Sequence, residues 1–134
     1  MIKVQGIDHV VLRTSKIDLM LAFYCELLNC PVARELPALG LVQLRAGNSL
    51  IDLVLVDSDL GRAGGGPPQQ QGRNMEHLCL RIDSLPEEAL LQHLKQHNIA
   101  VPEFAERYGA DGYGRSIYVH DPEGNIVELK LASA

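Results

Sequence analysis

Hydrophobic and polar side chains alternate along residues 125–131. Val127, Leu129 and Leu131 fall on one face of the predicted strand, and Glu128 lies in the middle of the opposite face. A carboxylate at this position has two explanations. Either the strand lies at a sheet edge and Glu128 faces water, or the polar face lines a cavity and Glu128 serves as a ligand or a base.

A turn signal precedes this strand. Residues 121–124 read Asp-Pro-Glu-Gly, with proline at the second position and glycine at the fourth, which favours a type I turn. Residues 114–120 before the turn read as a strand. The segment 114–130 therefore predicts two strands joined by a tight turn.

The pattern of the whole chain predicts two sets of elements in the same order: a strand, a helix and three further strands. Each predicted helix follows a capping-box pattern, with Ser15 or Ser84 at the cap and an acidic residue three positions later. Asn29 and Asn98 are predicted to end the two helices. The first set comprises a strand at 6–13, a helix between Ser15 and Asn29, and strands at 32–36, 40–46 and 49–56. The second set comprises a strand at 75–82, a helix at 85–97, and strands at 101–107, 114–120 and 125–131.

The two sets are separated by a segment that is rich in glycine, proline and glutamine and shows no hydrophobic periodicity. It is predicted to be a linker or a mobile loop. No Gly-Lys-Ser/Thr ending follows it, so a phosphate-binding loop is disfavoured. We expect one domain over residues 1–134, with a first module at about 1–57, a linker at about 58–74 and a second module at about 75–134.

Composition narrows the class of protein. The chain has 134 residues, 46% of them hydrophobic and 22% charged, which suits one soluble domain with a core. Its formal net charge is −5 and it has no long basic run, so neither nucleic acid nor an anionic membrane is an expected partner. No signal segment and no long apolar run is evident, so a cytoplasmic location is expected. The three cysteines form no Cys-x-x-Cys motif and are expected to be buried or half-buried thiols.

An internal repeat links the two sets of elements. Residues 7–13, IDHVVLR, match residues 75–81, MEHLCLR, and residues 51–53 match residues 127–129. In each copy the first strand places a histidine and an arginine on the same face. In each copy the last strand places a carboxylate between two hydrophobic residues that face the other way.

This repeat predicts where the polar side chains point. The helix of each copy must cover the apolar face of its sheet, so the opposite face points into a hollow that carries His9, Asp52, His77 and Glu128. Two imidazoles and two carboxylates form a ligand set that suits a divalent metal. Four protein ligands on an octahedral ion leave two positions for a chelating substrate.

With these features the chain resembles the vicinal oxygen chelate superfamily, which includes glyoxalase I, methylmalonyl-CoA epimerase, fosfomycin-resistance proteins, extradiol dioxygenases and bleomycin-resistance proteins. The most specific part of the resemblance is the segment 115–128, RSIYVHDPEGNIVE. The segments DHVVLRT and EHLCLRI, and Phe23-Tyr24 in the first helix, support it. The resemblance implies an α+β fold in which two paired βαβββ modules form a curved, mixed-sheet half-barrel with helices on the outside.

Residue by residue, the resemblance implies that His9, Asp52, His77 and Glu128 hold one divalent metal ion, which is Ni, Zn, Mn or Fe. Asp52 departs from the family pattern, since similar members carry Glu, Gln or His at this position. Glu128 is the first candidate for a catalytic base and Asp52 the second. Arg13 and Arg81 either bind an anionic substrate or extend to the rim of the cavity. Tyr113 and Tyr118 either line the pocket or pack, and packing is the favoured role.

The implied function is that of a glyoxalase-type lyase or isomerase. A carboxylate would remove a proton from a small vicinal-oxygen substrate, which could be a thiol adduct, and the metal would stabilise the enediolate. The alternatives are an Fe(II) ring-cleavage dioxygenase that uses His9, His77 and Glu128, and a metal-free protein that binds a small molecule. The resemblance also implies a homodimer, with modules paired either within one chain or between two.

Overall fold

The computed structural model describes residues 1–100 and 102–133. The chain forms two compact units, residues 1–69 and residues 70–134. Each unit contains one four-stranded mixed sheet and the same order of elements, βαβββ. The fold is α+β, as the sequence predicts.

The first unit has the sheet order β1-β4-β3-β2, in which β1 and β4 are parallel and the other neighbours are antiparallel. Its strands are β1 (His9–Thr14), β2 (Val32–Leu36), β3 (Leu41–Ala46) and β4 (Ser49–Leu55), and its helical elements are α1 (Ile17–Leu21), a π-helix (Ala22–Leu27), and 3-10 turns at Pro37–Leu39 and Gly61–Gly64.

The helical segment of the first unit differs from its prediction in two ways. The N-cap position is Lys16, one residue later than the Ser15 predicted, and the Lys16 side chain makes no cap hydrogen bond. The Lys16 backbone N–H donates to the buried Thr14 hydroxyl at 2.8 Å. The helix then widens into the π-helix before Asn29, whose φ of 58° ends it as predicted. Met20, Phe23, Tyr24 and Leu27 are buried along it.

The second unit repeats this arrangement, with the sheet order β5-β8-β7-β6 and a parallel pairing of β5 with β8. Its elements are β5 (Leu78–Ile82), α2 (Glu87–Gln96), β6 (Ala105–Gly109), β7 (Gly112–His120) and β8 (Ile126–Leu131).

Three predictions for the second unit need correction. The first strand begins at Leu78, three residues later than expected. The Ser84 cap is wrong, because Pro86 occupies the N-cap position with no side-chain hydrogen bond. The strand predicted at 101–107 begins at Ala105, and Val101 lies outside the described residues.

The turn that joins β7 to β8 is confirmed. The Gly124 N–H donates to the Asp121 carbonyl at 2.9 Å, which closes a four-residue turn. The Asp121 carboxylate accepts the backbone N–H groups of Glu123 and Asn125, each at 2.9 Å. This turn sets the register that places Tyr118 opposite Glu128.

The glycine-rich segment is partly ordered against the first sheet. The Arg13 side chain donates to the carbonyls of Gly61 at 2.8 Å, Gly66 at 3.0 Å, and Gly65. A Cβ atom on Gly61 would lie 1.8 Å from the Leu55 carbonyl oxygen, so only glycine fits at that position. No helix in the described part of the chain is long and apolar enough to cross a membrane.

Candidate metal and substrate site

His77 and Glu128 meet in the second unit. Glu128 is buried in the middle of β8, the inner strand that is paired on both sides, and His77 lies directly before β5. Nε2 of His77 lies 3.1 Å from Oε1 of Glu128. Nδ1 of the same ring faces the Glu76 carboxylate at 3.1 Å, which directs the other nitrogen to Glu128.

The spacing of this pair suits two ligands of one ion. A ligand atom lies about 2.0–2.2 Å from a divalent transition metal, so two ligands at a right angle lie roughly 3 Å apart. In the absence of an ion the same spacing allows a hydrogen bond between the imidazole and the carboxylate. The spacing of the pair therefore fits metal ligation with little rearrangement.

Tyr118 borders the pair formed by His77 and Glu128. Its ring centroid lies 5.3 Å from that of His77 in an edge-to-face arrangement, and the Arg107 guanidinium lies 4.3 Å above the ring. Burial, and next the negative charge of Glu128, raise the pKa of Tyr118. The phenol therefore stays protonated at neutral pH. The turn at 121–124 carried the signal, because its register places Tyr118 across from Glu128.

Cys79 is the register partner of Glu128, and it is exposed rather than buried or half-buried as expected. Although the residue is exposed, surrounding protein atoms still desolvate its thiol. This desolvation, followed by the charge of Glu128, raises the pKa of Cys79 to about 11. Cys79 is thus a neutral thiol and not a nucleophilic thiolate.

His9 and Asp52 share one face of the first sheet. Asp52 is the register partner of Val11, two residues after His9, and residues two apart on a strand point the same way. Nδ1 of His9 lies 2.6 Å from the Asp8 carboxylate. That hydrogen bond is the main cause that raises the pKa of His9, and the charge of Asp52 adds to it.

The Asp52 carboxylate has an unfilled position. Asp52 is only 3% exposed, and its Oδ2 accepts a hydrogen bond from the Gln43 side chain at 3.0 Å. Its Oδ1 is buried and has no hydrogen-bond partner in the described residues. An unpaired buried acceptor costs about 1–3 kcal/mol, and a cation would remove this cost. Asp52 therefore fits a metal-ligand role.

The two units share an arrangement that sequence reasoning missed. In each, the residue before the histidine is acidic and holds Nδ1 of the ring, Asp8 for His9 and Glu76 for His77. A carboxylate on the rear nitrogen fixes the ring orientation and makes the other nitrogen a better metal ligand. The signal was present in the repeat, which aligns Asp8 with Glu76.

Neither unit by itself gathers three His, Cys, Asp or Glu side chains into a metal site, within residues 1–100 and 102–133. Each unit contributes one histidine and one carboxylate on the same sheet face. The joining of these two pairs on one ion stays a prediction.

The two arginines have different surroundings. The donors of Arg13 are engaged with the glycine-rich segment, so its side chain holds that segment in place. Arg81 forms an exposed ion pair with Asp111, with Nε 2.8 Å from Oδ2. Arg81 lines a cavity that lies in the second unit and measures about 270 Å³. Its walls include His77, Arg81, Tyr108, Tyr113, Glu128 and Lys130.

Known proteins with similar sequences and folds agree with this description. The chain is 30% identical over 131 residues to virulence protein STM3117 of Salmonella typhimurium, covering 94% of this chain and 83% of that protein. The crystal structure of STM3117 superposes with a TM-score of 0.71 at 25% identity, covering 98% of this chain and all of that one. A lactoylglutathione lyase from Agrobacterium tumefaciens has the same fold, with a TM-score of 0.69 at 23% identity, covering 97% of this chain and 96% of that one.

A third protein of similar sequence is a dioxygenase. The chain is 29% identical over 131 residues to biphenyl-2,3-diol 1,2-dioxygenase 2 of Rhodococcus globerulus, covering 92% of this chain and 60% of that enzyme. The family model of the Glyoxalase/Bleomycin resistance protein/Dioxygenase superfamily matches residues 6–129. The chain therefore belongs to the Glyoxalase/Bleomycin resistance protein/Dioxygenase superfamily.

Proposed function

We propose that the protein is a divalent-metal-dependent lyase or isomerase of the glyoxalase type, acting on a small vicinal-oxygen substrate. One observation carries the proposal. Each unit presents a histidine, held at Nδ1 by the acid before it, on the same sheet face as a buried inner-strand carboxylate. Two copies of this arrangement supply the four ligands that an octahedral ion with two open positions needs.

The proposed ligands are His9, Asp52, His77 and Glu128. An ion held by these residues would supply Lewis-acid polarisation of two neighbouring substrate oxygens. Two imidazoles and two carboxylates suit Ni, Zn, Mn or Fe. The unpartnered Oδ1 of Asp52 supports its inclusion, although its side chain is one methylene shorter than glutamate.

Glu128 is the proposed base. Its carboxylate is buried and lies 3.1 Å from the His77 ring, so it is fixed in position before substrate enters. In the proposed step, one oxygen of Glu128 takes a proton from the carbon next to a polarised oxygen and later returns it to the neighbouring carbon. Tyr118, packed beside His77, helps to keep water away from this carboxylate.

The second candidate is an Fe(II) ring-cleavage dioxygenase. The relationship to biphenyl-2,3-diol 1,2-dioxygenase favours it, although this chain spans only 60% of that enzyme. His9, His77 and Glu128 would supply the two histidines and one carboxylate that such iron sites use.

The same proposal includes assembly and location. Residues 1–134 act as one functional domain with modules at about 1–57 and 75–134. The protein works in the cytoplasm as a homodimer, and its substrate could be a thiol adduct.

The first test is elemental mass spectrometry of the untagged protein. His77→Ala should lose a near-stoichiometric metal, whereas His120→Ala, which changes an exposed histidine, should keep it. Bound Ni, Zn or Mn, with conversion of methylglyoxal and glutathione, supports the lyase. Bound Fe, with oxygen uptake on a catechol, supports the dioxygenase. A protein without metal after soaking and desalting would overturn both and favour a metal-free binding protein.

A further inference from the structure

Lys130 is a buried cation that has no counter-ion among residues 1–100 and 102–133. It lies on β8, its residue is only 9% exposed, and its Nζ donates to the Gly112 carbonyl at 2.6 Å. No carboxylate in the described residues lies within ion-pair distance of it. An ammonium group has three donors, and the charge is expensive to bury unless an anion is present. Hydrogen bonding to a carbonyl alone would not need a charged side chain.

The fold is shaped around this lysine. A Cβ atom on Gly109 would lie 2.7 Å from Nζ of Lys130, and one on Gly114 would lie 3.0 Å from its Cε. Both glycines belong to the β6–β7 hairpin, so its strands lack side chains where the lysine passes. Lys130 thereby reaches the wall of the cavity of the second unit.

A second cation lies beside it. Arg81 and Lys130 are register partners on β5 and β8, so their side chains leave the same sheet face on strands about 4.8 Å apart. The Nε of Arg81 is paired with Asp111. Its remaining nitrogens have no protein partner in the part of the chain that the structure describes. The two cations form one row on the cavity wall.

The row lies at a fixed distance from the proposed reacting atoms. Glu128 and its partner Cys79 form the neighbouring row on the same face, two residues away along the strands. Two residues of a strand span about 7 Å, roughly the length of an extended chain of five to six single bonds. Tyr108 and Tyr113, which are 73% and 70% exposed, also line the cavity with their ring centroids 5.1 Å apart.

We propose that Lys130 and Arg81 bind a carboxylate of the substrate, which is a small organic acid whose carboxylate lies several bonds from its vicinal oxygens. The carboxylate binds the cation row, and the carbon chain runs beneath the two tyrosines towards Glu128. A cavity of about 270 Å³ suits a molecule of this size. The assignment of the reacting end rests on the proposed function, whereas the carboxylate site does not.

Glutarate is the probe, and its affinity for the full chain is measured by calorimetry in EDTA. Lys130→Met should weaken binding at least about tenfold, because hydrogen bonds to charged groups are the strong ones. Lys95→Met, on the exposed face of α2, should leave the affinity unchanged. Asp111→Asn should tighten binding about fivefold, since it frees Arg81 and removes a unit charge about 4 Å away.

The tighter glutarate binding expected of Asp111→Asn separates a role of the two cations in binding from a role in folding, because a variant with a damaged fold would not bind glutarate more tightly. The neutral diamide glutaramide should not bind. Absence of glutarate binding by the wild type, equal binding of glutaramide, an unchanged affinity in folded Lys130→Met, or weaker binding in Asp111→Asn would overturn the proposal.

The glutarate test does not depend on the metal. Glutarate binding in EDTA by a protein that shows neither bound metal nor turnover would support the carboxylate site and contradict the proposed lyase function. An active enzyme that contains metal but does not bind glutarate would support the lyase function and contradict the carboxylate site.

Discussion

Asp52 gives the sharpest test of whether the first unit is built for a metal. Its buried carboxylate has one hydrogen bond, from Gln43, and one oxygen without a partner. A group retained only for stability would not be left in this state, because a buried charge with incomplete hydrogen bonding destabilises the fold. Asp52→Asn keeps the size of the side chain and the Gln43 contact, and removes the charge.

The magnitude follows from these contacts. In EDTA, we expect Asp52→Asn to raise the free energy of unfolding by about 1–2 kcal/mol. The amide still leaves one buried polar atom without a partner, but it removes the buried charge, and an unsatisfied charged group costs more than a neutral one. For a chain of this length that equals roughly 4–8 °C in Tm. With a metal at a hundred times its Kd, the wild type should gain about 2.7 kcal/mol, and the variant should gain much less.

Urea unfolding with and without Zn²⁺ or Ni²⁺ measures both quantities. The order of stability should reverse, with the variant more stable in EDTA and the wild type more stable with metal. Asp83→Asn is the matched control, because Asp83 is exposed and its change should stay within about 0.5 kcal/mol in both conditions. An Asp52→Asn protein that is less stable in EDTA and gains as much from metal as the wild type would refute the reasoning.

Two further predictions concern other contacts. Glu76→Ala removes the acid that orients the His77 ring and should weaken metal binding about ten- to a hundredfold in a calorimetric titration, so an unchanged Kd would exclude an orienting role. Arg115 lowers the pKa of the Glu87 carboxyl below its ordinary 4.5 through a hydrogen bond, so their pairing stabilises the fold above that pH and loses its effect as pH falls through the lowered pKa. Arg115→Gln should therefore be less stable than wild type at neutral pH and match it in acid, and a difference that persists in acid would show that packing dominates.

The strand bounds could be predicted where residues that end a strand flank it. The bounds of β2 agree with the prediction, because Pro31 and Pro37 flank it and proline cannot continue a ladder. The helix starts could not be predicted to the residue, because the capping-box pattern placed each N-cap one or two residues too early. Lys16 rather than Ser15 holds the first N-cap position, and Pro86 rather than Ser84 holds the second, since its extended backbone, with φ −58° and ψ 135°, suits that position.

The candidate site residues could be predicted where the internal repeat places the same residue type in both units. Alternation along the strands identified the buried carboxylates Asp52 and Glu128, and the repeat identified the histidines. Lys130 was missed, since a lysine next to a glutamate on a polar face reads as solvated. The informative signal lies on the opposite hairpin, where Gly109 and Gly114 make room for a side chain that belongs to another strand.

The parallel pairings of β1 with β4 and of β5 with β8 also affect the order of folding, because Asp52 and Glu128 lie on the last strand of each unit. In both units the strand with the carboxylate is the last of four to be synthesised, yet it inserts between the first strand and the third. Antiparallel neighbours are joined by short connections and can pair early. The first strand can pair with the last only when a loop of some forty residues or more closes, and the entropic cost of closure grows with the length of the loop. A growing chain thus exposes His9 and His77 before Asp52 and Glu128 take their places in the sheets. Under the proposed function, capture of a metal would therefore wait until each sheet is complete.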